Sequence, residues 1–232
     1  MTLCVIPARG GSKRIPRKNL RAFAGKPMIT WSIAAAREAA CFDRIVVSTD
    51  DPEIAEVARS AGAEVPFMRD ARLANDHTPT IPVVADAIVR LNISADIAVC
   101  CLYATAPFVQ TKDLLQGLAL LEQGATDYVL SVTSFDFPIQ RALRRAPSGQ
   151  VEMFDSGNFE KRSQDLEEAW HDAGQFYWAR AGVWTDPDAG LYRSTTHGLA
   201  LPRHRVQDID SEEDWKRAEA MMAALNATAK DA

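Results

Sequence analysis

The stretch "RIVVSTDDPEIAEVARSAGAEVPFM", residues 44–68, holds two periodicities in one short span. "RIVVS" is an apolar, β-branched run that reads as a strand. Asp51 then stands where an N-cap belongs, Pro52 takes the first helical position, and Gly62 falls just past the end of "PEIAEVARS". "AEVPFM" reads as another strand. The same alternation continues on both sides. "LCVIPA" (3–8) is a strand, and "PMITWSIAAAREAA" (27–40) a helix with Pro27 at its first position. "TPTIPVVADAIVRL" (78–91) is helical, "ADIAVCCLYA" (95–104) a buried strand, "KDLLQGLALLEQG" (112–124) helical and "DYVLSVTS" (127–134) a strand. This rhythm predicts an α/β fold, a mostly parallel sheet with helices on both faces. Ligands of such sheets sit at the carboxyl ends of strands. The segments after four of these strands, residues 8–21, 48–51, 102–107 and 131–138, therefore share one expected rim.

Beyond residue 138 the regularity fades. "RALRRAPSGQ" (141–150) reads as a strand entering a turn, and "QFYWARAGVW" (175–184) as strand-like. The expectation is a single domain over 1–232, with an arm or insertion at about 139–180 that reaches a second subunit or covers the site. "SEEDWKRAEAMMAAL" (211–225) is a closing helix, with Ser211 as its cap and Asp214 at the capping-box position. The tail "NATAKDA" (226–232) is expected to fray.

The chain has 232 residues and a formal net charge of −5. That balance argues against a general nucleic-acid or anionic-membrane binder. Cys4, Cys41, Cys100 and Cys101 show no zinc-like spacing, and three lie in apolar runs; reduced thiols in a cytoplasmic protein are expected. No stretch approaches a signal peptide or the ~20 apolar residues of a membrane span.

Against this acidic background, "IPARGGSKRIPRKNL" (6–20) concentrates positive charge. Arg9, Lys13, Arg14, Arg17, Lys18 and Arg21 precede any acid, the first being Glu38. Six cations so close repel one another unless an anion sits among them. Gly10 and Gly11 permit close backbone approach, and Arg and Lys heads neutralise phosphate oxygens. The spacing is neither a Walker A loop nor a G-x-G-x-x-G fingerprint. A solvated basic loop or a protein contact is the competing account.

"IPARGGSKRIPRKNL" resembles the amino-terminal signature of the CMP-sialic acid synthetase family of cytidylyltransferases. "FDRIVVSTDDPEIAEVARSAGAEVPFMR" (42–69), "LYATAP" (102–107) and "QDIDSEEDW" (207–215) continue the resemblance over nearly the whole chain. "EVPFMR", "SVTSFDFPIQRAL", "RSQDLEEAWHDAGQFYW" and "RHRVQDID" look closest to the branch that activates pseudaminic acid. The resemblance implies a Rossmann-like nucleotidyltransferase fold with a dimerisation arm, and a homodimer. It also implies a reaction in which CTP and a nine-carbon nonulosonic acid give the CMP-sugar acid and pyrophosphate. N-acetylneuraminic or legionaminic acid is the alternative acceptor, and a non-catalytic nucleotide-sugar binder the more distant one.

The resemblance assigns triphosphate contacts to Arg9 and Lys13 and, with Gly10, Gly11 and Ser12, a phosphate cradle. Lys18 and Arg9 are the expected catalytic cations. Asn19, Arg69, Thr78 and Thr80 fall at nucleotide-side positions, although a hydroxyl before a helix is also an ordinary cap. Asp208 and Asp210 match the family's D-x-D, which implies Mg²⁺; in isolation such a pair is more often a turn or cap. If the segment is extended, both carboxylates point the same way. Where sialic-acid-activating relatives often carry a sugar-contacting Gln in this loop, Tyr103 stands here, so a different and less polar sugar is expected. His171, Gln175 and Tyr177 in "HDAGQFYW" (171–178) are further candidates for the sugar, with core or subunit packing as the alternative.

Overall fold

Cys4, Val5, Val46 and Val47 have no exposed surface, because both faces of the sheet that their strands enter are covered. The computed structural model describes residues 1–124 and 126–228. Its main sheet has six strands: β1 (Thr2–Pro7), β2 (Arg44–Ser48), β3 (Ala98–Leu102), β4 (Tyr128–Ser134), β5 (Trp170–Arg180) and β6 (Thr196–Ala200). Their order is β6-β4-β5-β3-β1-β2. Cys4 of β1 stands opposite Ile45 of β2 and Cys100 of β3, all parallel.

The helices are α1 (Met28–Ala39), α2 (Pro52–Ser60), α3 (Thr80–Arg90), α4 (Thr111–Glu122), α5 (Ala181–Thr185) and α6 (Glu212–Thr228). Ile33 of α1, Ile54 of α2 and Leu114 of α4 pack on one side of the sheet. Val84 of α3 and Trp184 of α5 cover the other. A third cluster sets Trp215 and Met222 of α6 against Ile15, Phe23, Phe108 and Ile209. It joins the basic loop to the chain's last helix. Asp51 caps α2 as expected, accepting hydrogen bonds from the N–H groups of Glu53 and Ile54. Ser211 and Asp214 close a reciprocal capping box on α6. Among the described residues, no helix is long and apolar enough to cross a membrane.

The sheet is mostly parallel as expected, with one reversed strand, β5, running antiparallel between β3 and β4. Several other expectations are corrected. The excursion after Ser134 returns beside it at Trp170, so the chain re-enters at the same end of the sheet and must run back down it. Residues 170–180 of the expected arm are thus a central strand. The excursion proper is residues 135–169, with a small antiparallel ribbon of Leu143–Arg145 and Val151–Met153. "AEVPFM" forms only two isolated bridges, Val46 to Glu64 and Thr49 to Met68; Pro66 between them has no N–H to offer a ladder. "AGVW" (181–184) is helical. Pro27 is the residue before α1, not its first. Helix α6 continues to Thr228, and the rest of the tail lies outside the described residues.

Candidate functional site

The basic loop leaves β1 at Pro7 and is held from several sides. The Gly10 N–H donates to Asp50 Oδ1 at 3.0 Å. A Cβ on Gly10 would lie 2.7 Å from Asp51 Oδ2 and 2.8 Å from Asp51 Cβ, so only glycine fits this close approach. Gly11 has open space around it. Asn19 is buried and its amide donates to the Arg9 carbonyl at 3.0 Å. Ile15 is fully buried against the α6 cluster.

The cations of the loop meet carboxylates that are distant in sequence. Arg9 and Lys13 each approach a different oxygen of Asp76, both at 2.5 Å. These hydrogen bonds, Lys13's first, hold the Asp76 carboxyl below its ordinary range. Lys18 donates to the Ile209 carbonyl at 2.6 Å and lies 3.4 Å from Asp210 Oδ1. Arg14 pairs with Asp210 Oδ2 at 2.9 Å, whereas Arg17 turns away to Glu53 at 2.5 Å. Asp208 feels partial desolvation first and then the like charge of Asp210, which together push its carboxyl up.

This carboxyl-end loop is irregular rather than extended in a strand. Buried Ile209 anchors it in the core. Upstream of it, a buried ion pair joins Arg205 to Asp113 at 2.5 Å.

Two adjoining cavities follow from this arrangement. One, of about 220 Å³, is lined by Arg9, Lys18, Asn19, Arg69, Thr78, Thr80 and Tyr103 among others. The second, of about 290 Å³, is lined by Ser12, Lys13, Arg14 and Asp210 and shares Arg9, Lys18, Asn19 and Asp76 with the first. Arg69 is buried there, its Nε donating to Ser48 Oγ at 3.1 Å and its terminal nitrogen to the Ser48 carbonyl. Burial pulls its guanidinium pKa down, with Asp50 acting in the opposite sense. Thr78 donates to the Arg72 carbonyl at 3.3 Å. The Thr80 and Tyr103 hydroxyls are 2.8 Å apart.

The structure therefore gathers most of the candidate residues around one space, but not all of them. Gln175 is buried, and its side-chain amide donates to the Arg205 carbonyl at 2.5 Å. Tyr177 is buried behind Tyr103. His171 is exposed, bonded through Nδ1 to the Asp172 carbonyl at 2.8 Å. It lines a separate cavity of about 290 Å³ with Ser134, Phe135 and Arg203.

Three acids were given no role by the sequence: Asp50 in the rim segment 48–51, Asp76 shortly before α3, and Asp172 in "HDAGQFYW". No spacing pairs Asp50 or Asp76 with the basic loop. Among the described residues no group of three or more His, Cys, Asp or Glu is placed to hold a metal. Asp208 and Asp210 are a two-carboxylate set whose mutual repulsion a cation would relieve. Hard oxygen donors in that number suit Mg²⁺, which takes its remaining oxygens from water and phosphates.

A sequence model of the family described as "Cytidylyltransferase" matches residues 3–224. A pseudaminic acid cytidylyltransferase of Campylobacter jejuni is 43% identical over 221 residues, covering 94% of this chain and 95% of the relative. A CMP-N,N'-diacetyllegionaminic acid synthase of Legionella pneumophila is 33% identical over 232 residues, covering 95% of each. Among solved structures, a CMP:2-keto-3-deoxy-manno-octonic acid synthetase complexed with CTP superposes with a TM-score of 0.69. It covers 97% of this chain and 99% of that one, and at 20% identity the likeness concerns the fold.

Proposed function

The chain belongs to the cytidylyltransferase family, and from that premise we propose that it transfers CMP from CTP to pseudaminic acid, releasing pyrophosphate. The single observation that carries this to the atoms is the meeting of Lys18 with the Ile209–Asp210 backbone and carboxylate, 191 residues away in the chain. The cationic cradle and Asp210, one of the acidic pair, thereby border one space, as a triphosphate with its metal requires.

In the step itself, the anomeric hydroxyl oxygen bonds to the α-phosphorus while the bond to the bridging oxygen breaks. The hydroxyl proton is lost and pyrophosphate leaves. Negative charge grows on the α- and β-phosphate oxygens, and no covalent enzyme intermediate is needed. Arg9 and Lys13 bind the β- and γ-phosphates, exchanging Asp76 for phosphate oxygens. Lys18 is the principal catalytic cation: its ammonium is held at the cavity edge before substrate arrives. Gly10, Gly11 and Ser12 let the backbone approach the phosphates, Asn19 and Arg69 hold the cradle and its rim, Thr78 borders the nucleotide, and Thr80 stands where the nucleotide side meets the sugar side. Asp208 and Asp210 hold Mg²⁺, which when bound supplies positive charge to the phosphates.

Exposed Phe137, Phe154 and Phe159 on the 135–169 excursion support a homodimer formed through that arm. His171 lies beside its root, where it borders the sugar end or the subunit contact. The free thiols of all four cysteines fit a cytoplasmic enzyme.

The test is direct. CTP, Mg²⁺ and each candidate nonulosonic acid are mixed with the protein and pyrophosphate is measured. Release with pseudaminic acid at the highest kcat/KM is expected. Release only with N-acetylneuraminic or legionaminic acid would overturn the acceptor assignment, and none with any acid despite CTP binding would leave a nucleotide binder.

A further inference from the structure

Behind the cavity wall runs a chain of hydroxyls that ends on a carboxylate. Thr80 and Tyr103 line the cavity with their oxygens 2.8 Å apart. The Tyr103 hydroxyl reaches the Tyr177 oxygen at 3.4 Å, and their rings meet edge to face at 5.5 Å. Tyr177 in turn donates to Asp172 Oδ2. The other oxygen, Asp172 Oδ1, accepts the Gly174 N–H at 2.8 Å. Burial pushes both phenols well above their ordinary pKa, so each keeps a proton that must be placed.

Counting protons gives the chain a direction. A carboxylate only accepts, so Tyr177 spends its proton on Asp172. The Tyr177 oxygen, polarised by that bond, is left as an acceptor for Tyr103, whose hydroxyl donates to it. The Tyr103 proton turns inward to it, and the Thr80 hydroxyl then donates to the Tyr103 oxygen. What remains for the cavity is lone pairs.

We propose that Asp172, acting through Tyr177, is a positioning residue that makes the Tyr103–Thr80 edge of the cavity a hydrogen-bond acceptor. That edge selects a donor on the acceptor sugar, an acylamino N–H or a hydroxyl, and turns away a carbonyl or carboxylate. The inference rests on the sugar-acid acceptor proposed above and adds the polarity of one of its contacts. A carboxamide at the same place would serve donors and acceptors alike; two phenols tied to a carboxylate serve only donors.

Two variants test it, with steady-state pyrophosphate release read against both substrates. In Asp172→Asn the carboxamide can offer N–H to Tyr177 and turn the chain over. Tyr177→Phe keeps the ring and its packing but removes the inward acceptor, so Tyr103 regains a proton for the cavity. The KM for pseudaminic acid should rise in both, on the order of 10–100-fold, as a mismatched buried polar contact costs. The KM for CTP should stay within about twofold. Both variants should bind CTP with wild-type affinity, which a general loss of structure would not allow. Unchanged KM for the sugar acid, or an equal rise in both KM values, overturns the inference. If wild-type protein releases pyrophosphate with no sugar acid, the functional proposal fails first, and the variants are not its cause.

Discussion

On one wall of the cavity Arg9 and Lys13 are held at 2.5 Å by Asp76, and Arg14 at 2.9 Å by Asp210. On the other, Thr80, Tyr103, Tyr177 and Asp172 form a largely buried chain whose only charge stands at its inner end. The first wall is at the solvent, and Lys13 is 80% exposed in its side chain. Such pairs are worth little and exchange easily, so a triphosphate can displace Asp76 at small cost. The second wall cannot exchange partners without stranding a proton or a lone pair. One side is built to trade its contacts for phosphate and the other to keep them. On the proposed function, affinity for the nucleotide would come from the yielding wall, and discrimination among sugars from the rigid one.

Variants placed along this contrast should differ in kind. The largest effect belongs to a charge pair that cannot yield. Asp113→Ala leaves Arg205, which is 4% exposed in its side chain, without its partner. It should destabilise the fold by about 3–5 kcal/mol in chemical denaturation. Lys18→Ala, on the yielding wall but at its most enclosed point, should lower kcat by ~10²–10³ with a much smaller change in KM for CTP. Asp210→Asn should raise the Mg²⁺ concentration for half-maximal rate by at least the roughly 10–100-fold typical of residues around a metal; an unchanged Mg²⁺ response would remove the carboxylate pair from that role.

The smallest effect is expected where the wall gives way most readily. Asp76→Asn frees Arg9 and Lys13, so the KM for CTP should fall, by less than about fivefold. Its pH dependence has a definite sign. Asp76 is lowered first by Lys13 and then by Arg9, so its stabilising contribution is present above the ordinary carboxylate range. It is lost as pH falls through the lowered folded-state value. The melting-temperature gap between wild type and Asp76→Asn should therefore be small at neutral pH and close on acidification. A gap that widened in acid would contradict the pairing.

Much of the amino-terminal half was legible because its signals are local. Asp51, Pro52 and Gly62 bound α2 through hydrogen bonds and dihedrals reached within a few residues. The cation-rich loop was expected on the rim at the carboxyl ends of the strands, and it lines the cavities there; Ser211 with Asp214 marked the start of α6. The failures have a common cause in contacts distant along the chain. Gln175 looked like a free polar group in an aromatic block, yet it donates to the Arg205 carbonyl. Asp76 looked like one more loop acid until folding set it between two cations.

Sequence alone determined where strands and helices alternate, where positive charge gathers and which turns are capped, because each depends on neighbours within a few residues. Tertiary structure decided the direction of β5, the pairing of Lys18 with a loop near the other end of the chain, and the line of hydroxyls from Thr80 to Asp172. Those depend on how strands stack side by side, and lateral order brings together residues whose separation in sequence carries no trace of the contact.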